Sequence, residues 1–159
     1  MASNPALQNG KVYRLLAQDD KPEDGLFAKD YYMTERSTVT AAYHVAYGSS
    51  NNRRDSKYIS ACLNYNDALR LSKKNPFYNG HIVSIDIDQL NVLHVYDLNV
   101  RQQLNAEQKE ENPVTINRFA SHAMDRNEVL IVGPVPANCV TIITKRQDLP
   151  NRHGNVPRH

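Results

Sequence analysis

The chain has 159 residues and a formal net charge of +2 at pH 7, with basic residues scattered rather than clustered. The length suits one domain with a real core, and the weak charge argues against nucleic acid as a partner. The two cysteines, Cys62 and Cys139, lack zinc-ligand spacing, and no signal peptide or membrane span is recognisable, so we expect free thiols, no metal and no membrane partner.

Composition divides the chain into three parts. Residues 1–10 show no pattern and predict a flexible lead, residues 11–145 predict a single domain, and residues 146–159 predict a polar tail. Ends of this kind would fit a domain cut from a longer protein.

The first predicted strand covers residues 11–17 and places Val12, Arg14 and Leu16 on one face. An arginine on an apolar face is costly unless it meets an anion. The planar guanidinium of Arg14 therefore suggests a phosphate or carboxylate clamp. The alternative is a surface arginine on an edge strand.

Helical spacing of apolar residues over 34–48 predicts a helix that carries His44 beside its apolar stripe. A lone histidine there is more often a packing residue than a ligand contact. Residues 56–63 predict a strand with Tyr58, Ser60 and Cys62 on one face. A helix over 67–74 and strands over 81–87 and 92–97 follow.

Residues 124–136 contain four consecutive aliphatic residues closed by Gly133, and they predict a short buried strand that Glu128 opens. Alternation predicts Arg126 and Glu128 on the same side. A partly desolvated carboxylate there can stabilise a cation. The alternative is an edge glutamate that is solvated or paired with Arg126.

A short amphipathic turn over 115–123 is predicted before this strand, and a last strand over 139–144 after it. The order of elements predicts an α+β fold. The first strand is not followed by a glycine-rich loop, which argues against a Rossmann or P-loop nucleotide site.

Arg14, Ser60 and Glu128, in this order and in these surroundings, resemble the ADP-ribosyltransferase toxin family of the Arg/Ser/Glu, cholera toxin-like type. The resemblance rests on Tyr13-Arg14, on His44 followed by Gly48, on the strand Lys57-Tyr-Ile-Ser-Ala-Cys62, and on Asn127-Glu-Val-Leu-Ile-Val-Gly-Pro-Val-Pro136. Similar domains occur as C-terminal toxin modules of bacterial Rhs and Tc-type proteins.

The resemblance implies an ADP-ribosyltransferase-like split β-sandwich with flanking helices. It implies Glu128, Ser60 and Arg14 as catalytic residues. It also implies that NAD, as co-substrate, contacts Arg14, His44, Ser60 and either Tyr58 or Tyr65. No metal is needed.

By the same resemblance, the chain is expected to be a secreted bacterial toxin or effector, a glycosyltransferase that moves ADP-ribose from NAD to a macromolecule. The expected acceptor is a protein in the cytosol of the target cell, and an immunity protein is a possible second partner. A carboxylate about 4 Å from the positive charge on the reacting ribose, at an effective dielectric of about 20, contributes roughly 4 kcal/mol, or about a thousandfold in rate.

The chain departs from the family pattern in two places. The family's Ser-Thr-Ser is replaced by Ser60-Ala61-Cys62, and Arg126 stands where many members have Glu or Gln on the acceptor side. Arginine stays protonated and cannot act as a base, which argues against arginine as the acceptor. Two alternatives remain: an NAD glycohydrolase on the same fold, and a catalytically silent interaction module in which Arg14 and Glu128 form a structural pair.

Overall fold

The computed structural model describes residues 7, 10–28, 39–47, 56–74, 80–96, 102 and 112–149. Strands run over Lys11–Leu15 (β1), Tyr58–Cys62 (β2), Ile82–Asp86 (β3), Val92–His94 (β4), Glu128–Val132 (β5) and Val140–Thr144 (β6). Helices run over Ala41–Tyr47 (α1), Tyr65–Lys74 (α2) and Pro113–Arg126 (α3). The predicted α+β class is confirmed at this level.

All six strands belong to one antiparallel sheet in the order β4-β5-β2-β1-β3-β6. Five residue pairs join β2 to β5, and five join β1 to β3. By contrast, β1 and β2 share a single pair, Tyr13 opposite Cys62. We call this junction the seam, because it nearly divides the sheet into a β4-β5-β2 half and a β1-β3-β6 half.

The core lies on both faces of the sheet. Alternation sends Val12, Ile59 and Val129 into one cluster on the first face. On the second face, α1 and α3 cover a cluster built around Phe119. The helix α2 covers a third cluster, which contains Cys62. Ser60 lies between Tyr58 and Cys62 on the second face, as its position in the strand predicts.

Most predicted elements match the observed ones to within a few residues. The helix predicted over 34–48 is found as Ala41–Tyr47, and Thr40 caps it by accepting the Tyr43 N–H at 3.0 Å. Val39 and Thr40, which the prediction included, precede the helix, and residues 34–38 and Gly48 lie outside the described residues. Gly48, on which the resemblance partly rests, is therefore among the residues that the structure does not describe.

The prediction for the segment before Glu128 is wrong. Helix α3 covers Pro113–Arg126 in place of a short turn, with Asn112 as its N-cap and Pro113 at its first turn. These are strong helix-start signals, and they outweigh the β-like residues downstream. The strand begins only at Glu128, so Arg126 ends a helix and does not share a strand face with Glu128.

Ordered structure continues past residue 145. Leu149, which falls in the predicted tail, is buried in the third cluster after a 3₁₀ turn over Arg146–Asp148. At the other end, Leu7 packs against the first cluster. In the part of the chain that the structure describes, no helix has the length and apolar character to cross a membrane.

Asn127 joins α3 to β5 in a left-handed conformation, with φ 45° and ψ 55°. Its side-chain amide donates to Asp67 Oδ2 at 3.0 Å, and its carbonyl accepts the Leu63 N–H at 2.9 Å. Asp67 is buried and also accepts from Arg70 at 3.0 Å. These bonds fix the backbone at the residue directly before Glu128.

We expect Asn127→Ala to lower the free energy of unfolding by about 2–4 kcal/mol. Alanine disfavours the left-handed conformation and leaves an oxygen of buried Asp67 without its partner. Asn127→Gly should cost less, because glycine keeps the backbone conformation. Urea denaturation measures both, with the exposed helical Asn117→Ala as control. An equal decrease in the free energy of unfolding for Asn127→Ala and Asn117→Ala would contradict this role for Asn127.

Candidate functional site

The seam brings Arg14 of β1 next to Ser60 of β2. Arg14 Nη1 donates to the Ser60 carbonyl oxygen at 2.5 Å. The two strands pair at one position only, so the Ser60 carbonyl oxygen lies near the point where backbone pairing stops. The guanidinium of Arg14 supplies the hydrogen-bond donor for this backbone oxygen. The arginine predicted as an anion clamp is therefore anchored at the junction of the two halves.

His44 of α1 lies between two serine hydroxyls. Its Nδ1 is 3.0 Å from Ser56 Oγ, and its Nε2 is 2.9 Å from Ser60 Oγ. The Tyr58 ring packs edge-on against the imidazole, with centroids 5.8 Å apart and an interplanar angle of 71°. The histidine is thus held on three sides, although a packing role was the commoner expectation for such a residue.

The imidazole of His44 is neutral at physiological pH. Burial, followed by repulsion from the Arg14 charge, lowers the pKa of His44 from 6.5 to about 4. A neutral imidazole has one N–H donor and one bare nitrogen acceptor. His44 can therefore link the two serines with hydrogen bonds, but it carries no charge for binding an anion.

Glu128 shares a sheet face with Ser60, because its cross-strand partner is Cys62 and Ser60 lies two residues from Cys62 on β2. The side chain is 2% exposed, and its Oε1 has no hydrogen-bond partner among the described residues. No arginine forms an ion pair with it within the same residues. The alternative of an edge glutamate, solvated or paired with Arg126, is wrong, and the structural pair with Arg14 is not formed.

Opposing forces act on the Glu128 carboxyl. Burial raises its pKa, because desolvation disfavours the charged form. The positive charge of Arg126, a hydrogen bond from the Ser60 side chain and the charge of Arg14 all act to lower it, in that order of size. The carboxyl is therefore costly to ionise yet surrounded by groups that favour the ion.

The thiol of Cys62, directly opposite Glu128, is held protonated. Burial raises its pKa most, and the negative charges of Glu128 and Asp67 raise it further. Because the thiolate is the nucleophilic form, Cys62 is suited to packing rather than to chemistry. The family that the sequence resembles has a hydroxyl at this position, whereas Cys62 presents a protonated thiol.

The structure brings five of the predicted site residues together at the seam, namely Arg14, His44, Tyr58, Ser60 and Glu128. Tyr65 has different partners. Its hydroxyl is 2.8 Å from Thr144 Oγ1, and its ring packs edge-on against Tyr13 at 6.1 Å. Arg126 lies at the end of α3, and its charge lowers the pKa of Glu128.

Sequence reasoning did not single out Ser56 as a site residue. This serine comes directly after a polar stretch of sequence, where a surface hydroxyl is the ordinary expectation. In the folded chain it is 3% exposed and contacts His44. Only a strand–helix contact reveals it, and no local signal in the sequence points to it.

A cavity of about 270 Å³ lies beside Arg14. Its lining combines charged residues of the turn after β1 with apolar residues, and consists of Arg14, Asp19, Asp20, Lys21, Asp24, Gly25, Leu26, Phe27 and Ile59. Within the described residues, no cluster of three or more His, Cys, Asp or Glu side chains is arranged to hold a metal ion.

Comparison with models of known protein families gives no match to this chain. A search of curated proteins likewise finds no significantly similar sequence. The function is therefore inferred from the site itself.

We expect Glu128→Gln to stabilise the protein relative to the wild type increasingly as pH rises from about 4.5. The folded-state pKa of Glu128 is raised, so above the unfolded pKa the unfolded chain ionises first and wild-type stability falls by up to about 1.4 kcal/mol per pH unit. Glutamine does not titrate. Urea denaturation from pH 5 to 8 measures the difference between the two proteins.

His44 does not disturb this comparison. Its lowered pKa removes stability from both proteins alike as pH falls from 6.5 towards 4. The matched control is Glu23→Gln, which makes the same chemical change at an exposed glutamate. A Glu128→Gln difference that stays constant with pH would show that burial does not raise the pKa of Glu128.

Proposed function

We propose that this protein is a mono-ADP-ribosyltransferase that cleaves the nicotinamide–ribose bond of NAD and transfers ADP-ribose to a macromolecular acceptor other than arginine. The observation that carries the proposal is the buried, unpartnered Oε1 of Glu128 beside Ser60 and Arg14. A buried acceptor left unsatisfied is costly and calls for an explanation. A hydroxyl group of a bound ribose that donates to Oε1 supplies this explanation.

The chemistry explains why a buried carboxylate suits the reaction. Cleavage of a glycosidic bond builds positive charge on the sugar. A carboxylate in a site of low dielectric stabilises that charge far more than it would in water. Burial of Glu128 strengthens this effect, while the charges of Arg126 and Arg14 lower the cost of ionising it.

Arg14 is proposed to bind the pyrophosphate of NAD. A guanidinium matches phosphate oxygens in geometry and charge. The bond to the Ser60 carbonyl holds the arginine at the seam, and the cavity beside it, about 270 Å³, is of a size for part of a dinucleotide. The charged lining of that cavity consists of Arg14 and Lys21 together with Asp19, Asp20 and Asp24.

The near-division of the sheet at the seam supports the finer fold assignment that we propose, a split β-sandwich of the ADP-ribosyltransferase type. On the second face, α1 and α3 cover the β4-β5-β2 half, and α2 packs across the seam on β1 and β2. The reacting groups come from both halves, because Arg14 belongs to one and Ser60 and Glu128 to the other. A ligand at the seam can contact both.

Of the two tyrosines considered for stacking on nicotinamide, we propose Tyr58. Its ring contacts His44, which in turn contacts Ser60. Tyr65 instead contacts Thr144 of β6. An aromatic face beside the reacting groups suits a planar leaving group.

An NAD glycohydrolase is the second candidate, and Arg126 is the observation that favours it. A protonated guanidinium near Glu128 cannot activate an acceptor as a base. Water is the smallest acceptor and needs no binding site of its own. A target-cell protein as acceptor and an immunity protein as inhibitor remain part of the transferase proposal.

We expect Glu128→Gln to lower the rate of nicotinamide release about a thousandfold, because an uncharged amide no longer stabilises the positive ribose. The assay incubates each protein with NAD labelled in its adenylate half and with a cell lysate, and follows free nicotinamide and labelled macromolecules. Glu23→Gln, at an exposed glutamate, is expected to match the wild type.

Nicotinamide release with label on a macromolecule supports the transferase, and the labelled band identifies the acceptor. Release without such label assigns the glycohydrolase. If wild-type protein releases no nicotinamide in any lysate, the enzymatic proposal is wrong.

A further inference from the structure

Ser56 is a buried serine just before β2 for which the proposed function has no role. Its side chain is 3% exposed. Its Oγ accepts the backbone N–H of Tyr58 at 3.0 Å and lies 3.0 Å from Nδ1 of His44. One hydroxyl therefore contacts both the strand that carries Ser60 and the histidine that contacts Ser60.

The contacts of Ser56 favour one tautomer of His44. The Ser56 oxygen accepts the Tyr58 N–H, and among the described residues Nδ1 of His44 is the acceptor within reach of its own O–H. Because Ser56 is buried, a proton on Nδ1 would leave this O–H without an acceptor, which is costly. A neutral imidazole that accepts at Nδ1 carries its proton on Nε2. Nε2 then donates to Ser60 Oγ at 2.9 Å.

The other end of this series of hydrogen bonds is compatible with the same direction. Ser60 and Glu128 lie on one face of the sheet, because Cys62 pairs with Glu128 and Ser60 lies two residues from Cys62. When Nε2 carries the proton, Ser60 Oγ accepts from His44, and the hydroxyl proton of Ser60 is left to donate to the carboxyl.

We propose that Ser56 is a positioning residue that holds His44 in the Nε2–H tautomer and so directs the Ser60 hydroxyl towards Glu128. The hydrogen bonds then run in one direction, from Ser56 through His44 and Ser60 to Glu128. Oε1 of Glu128, which has no hydrogen-bond partner among the described residues, is left for a ligand. The consequence for turnover rests on the proposed function, whereas the tautomer can be measured without it.

The direct test is a long-range proton–nitrogen correlation spectrum of ¹⁵N-labelled protein at pH 7.5. The chain has six histidines, so His44 is assigned from the signals missing in His44→Gln. We expect the wild type to show His44 with its proton on Nε2. Ser56→Ala should shift His44 towards the Nδ1–H form, and Ser56→Thr, which keeps the hydroxyl, should restore the wild-type pattern.

Ser84→Ala is the matched control, since Ser84 is a buried serine on β3. It should leave the His44 signals unchanged. A wild-type His44 protonated on Nδ1 overturns the proposal without any variant. An unchanged tautomer in folded Ser56→Ala overturns it as well.

Nicotinamide release provides the second readout. Loss of the Ser56–His44 hydrogen bond is expected to lower kcat about tenfold in Ser56→Ala, with little change in KM. Ser56→Thr, which keeps the hydroxyl, is expected to recover the wild-type kcat. The tautomer shift without nicotinamide release in any protein would support Ser56 as the residue that sets the tautomer and reject the proposed function. The tautomer shift with unchanged kcat would overturn the positioning role.

Discussion

The interrupted pairing between β1 and β2 is the constraint on which the rest of the site depends. A continuous ladder would pair the Ser60 carbonyl with backbone and leave no room for the Arg14 guanidinium. With one residue pair at the seam, the strands separate enough for a side chain of one half to bond the backbone of the other. The cavity next to Arg14 is lined mainly by the turn after β1 and by Ile59 of β2. The anchoring of Arg14 to the backbone of the other half thus follows from how the strands pair.

A second consequence is electrostatic. Glu128 is buried, so its ionised form is costly. Two arginines and a serine hydroxyl nevertheless lie near enough to lower the pKa of its carboxyl. This balance is characteristic of functional sites, where burial and a few charges set the protonation state. His44, neutralised by the same burial, adds hydrogen bonds without adding charge.

The position of Glu128 depends on a turn outside the site. Asn127 ends α3 in a left-handed conformation, and Asp67 of α2 holds its amide. One residue of rotation at this point would exchange Glu128 with Val129 between the two faces of the sheet. A stable helix–strand junction is thus a condition for the geometry of the proposed site.

The resemblance to a known family brought Arg14, Ser60 and Glu128 together as a candidate site. The amino-acid sequence alone predicted the class of fold and six strands, most of them to within a few residues, because alternation and apolar runs are local properties of the chain. It misplaced Arg126, since the capping signals of α3 compete with β-like residues over the same stretch. Tertiary structure alone decided that Glu128 is buried rather than solvated, that Tyr58 and not Tyr65 contacts His44, and that Ser56 contacts His44. These are contacts between elements distant in sequence, and their geometry depends on how the strands pair and the helices pack.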